Sequence, residues 1–179
     1  MPKISRRRFL AASAQAAAGL LICSPINAWA RAPKKYPLTF FHTHTEEYLH
    51  IAHTPGRYSS AVQRKIKIFL RDFRTGDIHP IDPELLDVLC RIQSATGSHG
   101  TIEIISGYRS PQTNEILSLT SSGVAKNSLH MKGQAVDIRV TDLPLQHLRD
   151  TALAMRTGGV GYYAKSDFVH LDTGPFRTW

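Results

Sequence analysis

Two short segments of the sequence place histidines near acidic residues, and these residue types suit a metal ion. Residues 128–137 hold His130 and Asp137, and residues 166–172 form a predicted strand with His170 in its middle. Neutral imidazole and carboxylate are ligands for Zn²⁺, and a catalytic zinc site needs three protein ligands with one position left open. His130 and Asp137 alone are weak evidence for a metal site, because a histidine in a glycine turn followed by a surface aspartate is usually structural. The second segment supplies a candidate third ligand, so the two together predict a zinc hydrolase.

Asp167, three residues before His170, is the candidate base of such a site. Hydrolysis at zinc needs a group that accepts a proton from the attacking water and later returns it. Residues three apart in a regular strand point to opposite faces, so the chain must bend near Asp167 if both side chains are to reach one site. The alternative is that Asp167 only stabilises the turn. Asp172 shares a strand face with His170 and is a candidate for supporting that histidine.

Residues 1–30 have the composition of a secretion signal. Arg6, Arg7 and Arg8 precede an apolar, alanine-rich run, and a small-x-small site, Ala28-Trp29-Ala30, follows it. This pattern predicts a twin-arginine signal peptide that is cleaved after Ala30, which leaves residues 31–179 as the zinc peptidase domain. A membrane anchor is the alternative, but polar residues interrupt the apolar run, which is shorter than the roughly 20 residues that span a bilayer. The expected location is the periplasm, without stable membrane insertion.

The composition of residues 31–179 is that of one mildly basic domain. Four of the 22 Lys and Arg and none of the 14 Asp and Glu lie in the predicted signal, so the rest carries a charge of +4, 18 basic against 14 acidic. This charge could favour nucleic acid, but export argues for an anionic polymer of the cell envelope, and a solvated surface is the simpler alternative. Cys23 lies in the predicted signal, so Cys90 is left without a partner for an internal disulfide. Cys90 also fits a helical apolar pattern, which predicts a buried core residue.

Periodicity and turn residues predict an alternation of strands and helices. Strands are predicted at 38–43, 48–52, 101–105, 135–140, 159–163 and 168–172. Helices are predicted at 60–73, 83–96 and 145–155, and an irregular or partly helical loop at 112–127. His42 and His44 fall at the end of the first strand, where a second metal site is one interpretation. The favoured interpretation is that both are polar residues on the exposed side of a hairpin.

Several separated motifs then match one known family. They are residues 106–114, 127–137, 159–163 and 167–172, with further similarity at 44–47, 70–76 and 80–82. Together they resemble the murein endopeptidase K (YcbK-like) group of the D-Ala-D-Ala carboxypeptidase-type (LAS) zinc metallopeptidases. The resemblance covers nearly all of residues 31–179, and motifs in a shared order are far more specific than any one of them.

The resemblance implies a fold and a set of roles. The fold is α+β, of the LAS or hedgehog type, with a small antiparallel sheet that carries the zinc and is flanked by helices. The zinc ligands would be His130, Asp137 and His170, and Asp167 matches the family position of the base. Arg109 would bind a substrate carboxylate or carbonyl oxygen. Two weaker substrate-site candidates are Ser128, for a hydrogen bond near the substrate, and Asn114, for holding the Arg109 loop.

The implied function is hydrolysis of peptide cross-links in peptidoglycan, with zinc as cofactor and peptidoglycan, not nucleic acid, as partner. Within the family, cleavage between two meso-diaminopimelate residues is favoured. The alternatives are an endopeptidase for D-Ala-meso-diaminopimelate links or a D,D- or L,D-carboxypeptidase. A non-catalytic peptidoglycan-binding domain or a structural zinc domain also remains open, although neither has a need for Asp167.

Overall fold

A seven-stranded sheet organises the protein from residue 34 onward. The computed structural model describes residues 33–121 and 123–179, so the predicted signal peptide lies outside the described residues. The strands are β1 (Tyr36–His42), β2 (Tyr48–His53), β3 (Ile102–Ser106), β4 (Ala135–Val140), β5 (Gly159–Tyr163), β6 (Phe168–Asp172) and β7 (Arg177–Thr178). Their order in the sheet is β2-β1-β3-β4-β6-β5-β7. β4 and β6 are therefore neighbours in its interior.

The sheet is mixed, so the expected antiparallel character is not confirmed for the sheet as a whole. β1 pairs with β3 in parallel, and β5 pairs with β7 in parallel. The remaining neighbours, including β4 and β6, are antiparallel. Parallel pairing needs a crossover of a dozen or more residues. The segment between β1 and β3 contains a hairpin strand and two helices and is long enough for this crossover.

Four helices of the described residues accompany the sheet. They are α1 (Ser60–Phe69), α2 (Glu84–Thr96), α3 (Pro111–Thr120) and α4 (Leu145–Met155), with short 3₁₀ turns at Leu129–Lys132 and Ala164–Ser166. The predictions for α2, α4 and the β5–β6 hairpin are confirmed, and 112–127 is partly helical as expected. Asp82 lies just before α2, and its side chain accepts a hydrogen bond from the backbone N–H of Glu84, the first residue of the helix, at 3.0 Å. Among the described residues, no helix has the length and apolar character that crossing a bilayer requires.

The two faces of β4 divide the core from the polar side of the sheet. Val136, Ile138 and Val140 belong to the apolar core, to which α2 and α4 contribute Leu85, Leu86, Leu89 and Leu148. Cys90 lies in this core, and burial raises the pKa of its thiol to about 12, so the prediction of an unreactive core residue is confirmed. Asp137 and Arg139 alternate with the apolar residues along β4, as residues of period two must.

α1 ends at Phe69, four residues before the predicted boundary at residue 73. Leu70 leaves the helix, and its carbonyl accepts a hydrogen bond from the backbone N–H of Tyr108 at 2.8 Å. Gly107 makes this approach possible, since a Cβ there would lie 2.7 Å from the Leu70 carbonyl oxygen. The helix is thus shortened by a contact that fixes the turn before Arg109, and no local pattern encodes that contact.

His42 is a second correction, because it is fully buried and not on an exposed face. Its ring packs against Phe69 and Phe73, and burial lowers its pKa to about 4. His44 is exposed, as expected, and stacks on Phe73. The alternation of a strand places residue 42 on the core side, where a neutral histidine serves as an apolar ring.

Candidate metal centre and substrate cleft

Three segments bring the candidate ligands together on the polar side of the sheet. Asp137 on β4 lies directly opposite His170 on β6 in the antiparallel register. His130 comes from the 3₁₀ turn that precedes β4, and Gly133 ends this turn with a left-handed φ of 65°. A side chain at Gly133 would also collide with the Pro80 carbonyl, which would lie 2.1 Å from its Cβ. The turn therefore requires glycine to aim His130 back at β4.

The facing atoms of the three side chains form a tight triangle. His130 Nε2 is 3.2 Å from Asp137 Oδ1 and 3.1 Å from His170 Nδ1, and the latter is 2.8 Å from Asp137 Oδ1. All three residues are buried. Among the described residues, they form the one group of His, Cys, Asp or Glu side chains close enough to hold a metal ion together.

Contacts on the outer side of each ring decide which nitrogen carries the proton. His130 Nδ1 lies 2.7 Å from the carbonyl oxygen of Gly107, which can only accept, so Nδ1 is the donor. His170 Nε2 donates in the same way to Asp172 Oδ2 at 3.0 Å. In the neutral rings, His130 Nε2 and His170 Nδ1 therefore face Asp137 with lone pairs. Three electron-pair donors that face one point in this way can hold a cation between them.

The size of the triangle fits a tetrahedral metal. Nitrogen and oxygen ligands at about 2.0–2.1 Å from a tetrahedral zinc lie roughly 3.3 Å from one another. The observed separations of 2.8 to 3.2 Å are close to this value. Two neutral imidazoles and one carboxylate are also a donor set that zinc accepts. The residues present therefore fit the metal that the resemblance implies.

The electrostatics of the centre favour a negative carboxylate between the two rings. Burial would raise the pKa of Asp137, but the imidazoles of His130 and His170 hold it far below its usual range. Burial lowers the pKa of His130. Burial works to lower the pKa of His170, but its hydrogen bonds to Asp137 and Asp172 raise it. Burial likewise opposes ionisation of Asp172, yet hydrogen bonds from His170, two backbone N–H groups and Arg177 bring its pKa down to about 2. Asp172 is thus a permanent acceptor behind His170.

Arg109 is held against the centre. Its Nη2 donates to Asp137 Oδ2 at 2.7 Å, on the carboxylate oxygen that turns away from the triangle. Its Nε donates to Ser106 Oγ at 3.0 Å, and its backbone N–H donates to the His130 carbonyl at 3.3 Å. These contacts fix the orientation of Asp137, a function that sequence reasoning did not assign to Arg109. Nη1 has no acceptor within the part of the chain that the structure describes, and Arg109 lines the cleft.

Asp167 lies at a bend, as the sequence argument required. The residue follows the 3₁₀ turn Ala164–Ser166 and has a left-handed φ of 53°, so the strand starts only at Phe168. Its exposed carboxylate accepts a hydrogen bond from Arg139 Nη1 at 2.9 Å. Ser166 and Phe168 line the cleft on either side of it, whereas Asp167 itself does not.

The two weaker candidates differ in position. Ser128 lines the cleft, and its Oγ accepts the backbone N–H of His130 at 3.3 Å, which starts the 3₁₀ turn. Asn114 is buried, does not line the cleft, and donates both amide hydrogens to the carbonyls of Ala125 and Lys126. Asn114 therefore holds the loop after α3, and its predicted role in holding the Arg109 loop stays a prediction.

The cleft that opens above the triangle has a volume of about 430 Å³, within the range for ligand pockets. The loop from Gly123 to Leu129 and the three candidate ligands line it. Sequence reasoning did not find four further lining residues, which are Tyr163, Phe168, Arg177 and Trp179. A signal was available only for Phe168, two positions before His170 on one strand and hence on the same face.

Asp172→Asn should weaken zinc binding by roughly 10- to 100-fold, the usual effect of losing a carboxylate behind a ligating histidine. Asparagine keeps the shape but removes the charge that holds the proton on His170 Nε2 and pairs with Arg177. Competition with a chromophoric chelator measures the affinity. Asp150→Asn, an exposed exchange on α4, is the control. Equal affinity in the two variants would leave Asp172 with a purely structural role.

Comparison with known proteins places these features in one family. The family model described as "Peptidoglycan L,D-endopeptidase MepK" matches residues 30–179. The protein of that name from Escherichia coli strain K12 is 42% identical over 176 residues, which are 98% of this chain and 97% of the relative. The values for the Shigella flexneri protein are the same. The "Probable peptidoglycan L,D-endopeptidase MepK" of Haemophilus influenzae is 38% identical over 177 residues, with coverages of 98% and 95%.

The likeness over the full domain and the His-Asp-His cluster define an enzyme of the metallopeptidase class. Within that class, the chain belongs to the peptidoglycan L,D-endopeptidase MepK family, which confirms the resemblance read from its motifs.

Proposed function

We propose that this protein is a zinc-dependent endopeptidase that hydrolyses cross-links between two meso-diaminopimelate residues of peptidoglycan. The observation that carries the proposal is the triangle of lone pairs at His130, Asp137 and His170, in a chain whose relatives are named peptidoglycan L,D-endopeptidases. A domain that only binds its ligand would have no need of a base such as Asp167.

His130 Nε2, His170 Nδ1 and Asp137 Oδ1 would hold the zinc ion. Zinc, when bound, polarises a carbonyl oxygen and lowers the pKa of water. The contacts with Gly107, Asp172 and Arg109 keep the three donor atoms aimed at one point before the ion arrives. This preorganisation limits the rearrangement that binding requires.

Asp167 is the proposed general base and acid. Its carboxylate would take a proton from the attacking water and return it to the leaving amine nitrogen. The pairing with Arg139 does not oppose this role, because Asp167 is exposed, Arg139 is partly exposed, and such surface pairs contribute only about 0–1 kcal/mol. The bend at φ 53° frees the carboxylate from the alternation of the strand, so rotation about its side-chain bonds can turn it toward the cleft.

Arg109 would have two functions in this enzyme. Its bond to Asp137 orients one ligand, and its Nη1, which faces no protein acceptor among the described residues, is available to a substrate oxygen. A guanidinium is well suited to this task because it stays charged and binds carboxylates with a fixed geometry. Ser128, on the same cleft, is proposed for a further hydrogen bond near the substrate.

Stereochemistry favours the diaminopimelate link over the D-Ala link. A bond between two meso-diaminopimelate residues joins an L-centre to a D-centre, whereas the D-Ala-diaminopimelate bond joins two D-centres. The relatives are named for L,D cleavage. Charge does not separate the two substrates, since both carry diaminopimelate carboxylates near the scissile amide.

Purified muropeptide dimers of the two types test the substrate assignment. We expect the diaminopimelate-linked dimer to be split into monomers well before the D-Ala-linked dimer, and a chelator to stop the reaction. Mass spectrometry of the products measures both rates, and digestion of whole sacculi shows whether the polymer is a substrate. Faster cleavage of the D-Ala-linked dimer would contradict the proposed substrate but leave the assignment as a peptidase intact. Binding of either dimer without cleavage would contradict the assignment as an enzyme.

We also propose that residues 1–30 are a twin-arginine signal peptide and that residues 31–179 act in the periplasm, where peptidoglycan lies. Replacing Arg6 and Arg7 with lysine keeps the charge but removes the paired arginines, so precursor should accumulate in the cytoplasm. Fractionation and N-terminal sequencing measure this. Lys3→Arg, outside the pair, is the control. A periplasmic protein that begins at Arg31 in the double variant would disprove twin-arginine export.

A further inference from the structure

Three aromatic rings, Tyr163, Phe168 and Trp179, line the cleft together, and we call them the aromatic wall. Tyr163 and Phe168 stack with their centroids 4.5 Å apart. The indole Nε1 of Trp179 donates to the Tyr163 hydroxyl at 2.8 Å. The three side chains are therefore connected into one surface.

Trp179 is firmly held in this wall. Its backbone N–H donates to the Val160 carbonyl, and its carbonyl accepts from the N–H of Tyr162, so it continues the pairing of β7 with β5. Gly161 leaves room for the indole, because a Cβ at this position would lie only 2.7 Å from the ring atoms of Trp179. Backbone, Nε1 and ring thus fix one orientation of the side chain.

The fixed ring is nevertheless half exposed. Trp179 keeps 49% of its surface accessible, and its centroid lies 5.2 Å from that of His170. An indole whose only task is to pack against His170 would be covered, since apolar burial is what stabilises such a residue. Here a rigid apolar face is presented to the cleft beside the candidate metal ligands. Apolar walls with a few polar groups are how pockets bind small organic groups.

We propose that Trp179 is a substrate-binding residue whose indole contacts the aliphatic carbon chain of a diaminopimelate residue beside the scissile amide. The proposal rests on the function proposed above. A diaminopimelate residue has three methylene groups between its two charged centres, which an aromatic face can cover. Arg109, which lines the same cleft, supplies the positive charge for a carboxylate at the end of that chain.

Steady-state kinetics separate this role from support of His170. Trp179→Ala should raise KM for the diaminopimelate-linked dimer about fivefold, within the roughly 2- to 12-fold range of one lost aromatic contact, with kcat changed less than about twofold. The zinc content should stay unchanged. Trp179→Phe, which keeps a ring, should show a smaller rise. Tyr48→Ala, at an exposed tyrosine on β2 outside the cleft, is the matched control and should behave as the unchanged protein.

Fluorescence gives a readout that does not depend on turnover. The sequence has two tryptophans, Trp29 and Trp179, so Trp29→Phe in the full chain leaves Trp179 as the single reporter. With chelator present to stop hydrolysis, titration with the diaminopimelate-linked dimer should shift the emission to shorter wavelength and saturate, because substrate displaces water from the indole.

The outcomes distinguish this proposal from the function on which it rests. A saturable shift without any hydrolysis by the metal-loaded protein would refute the proposed function and keep Trp179 as a binding residue. Hydrolysis with an unshifted emission and an unchanged KM in Trp179→Ala would refute the binding role alone. A loss of zinc in Trp179→Ala and Trp179→Phe would also refute it, since Trp179 would then act through His170.

Discussion

His130→Ala should yield a folded protein that binds no zinc and cleaves cross-linked dimers at least roughly 100-fold more slowly, since metal catalysis contributes several kcal/mol. The substitution removes one corner of the lone-pair triangle and leaves two donors, too few for a catalytic zinc. The apolar core on the opposite face of β4 is untouched, so the fold should persist. Elemental analysis after gel filtration measures the zinc, and the dimer assay measures the rate.

His147→Ala provides the control for a histidine exchange. His147 lies on α4 and is exposed, so its loss should change neither zinc content nor rate. His170→Ala should repeat the effect of His130→Ala because the two rings occupy equivalent corners. Full zinc occupancy in either ligand variant would remove that residue from the metal centre.

Asp167→Asn should retain zinc and lose at least about 100-fold in rate, the lower end for a general base. Asparagine has nearly the same shape and can still accept a hydrogen bond from Arg139, but it cannot take a proton at neutral pH. Single-turnover rates on the diaminopimelate-linked dimer, together with zinc content, give the answer.

Arg139→Gln separates the chemical role of Asp167 from a structural one. Arg139 pairs with Glu103 as well as with Asp167, so if Asp167 only anchors the turn, Arg139→Gln should lower the rate at least as much as Asp167→Asn. If Asp167 is the base, the arginine variant should stay within severalfold of the unchanged protein, because each surface ion pair contributes about 0–1 kcal/mol. Near-normal activity of Asp167→Asn would return this residue to the role of stabilising the bend.

Local signals in the sequence predicted much of the fold. α4 has its predicted bounds, and so do both strands of the β5–β6 hairpin, since turn residues and short-period patterns define them. The bend at Asp167 also followed from local geometry, because a strand cannot present residues three apart on one face. The candidate metal ligands could also be predicted from the sequence, because each lies in a short local motif.

Features that depend on contacts between distant parts of the chain could not be predicted from the sequence. The parallel pairing of β1 with β3 joins segments about sixty residues apart, and no pattern within either strand encodes it. α1 stops where Leu70 meets Tyr108, and His42 is buried because Phe69 and Phe73 pack on it. The contact of Arg109 with Asp137 and the place of Trp179 beside His170 likewise arise only when the sheet is assembled.

The proposed ligands lie far apart along the chain and meet only in the folded protein, so metal binding should be coupled to global stability. His130 and His170 are 40 residues apart and meet only because β4 pairs with β6 in the interior of the sheet. The unfolded chain therefore offers no comparable site, and zinc at a thousand times its dissociation constant would add about 4 kcal/mol to the free energy of unfolding. Loss of the β4–β6 pairing would release the ion, and removal of the ion would weaken that pairing.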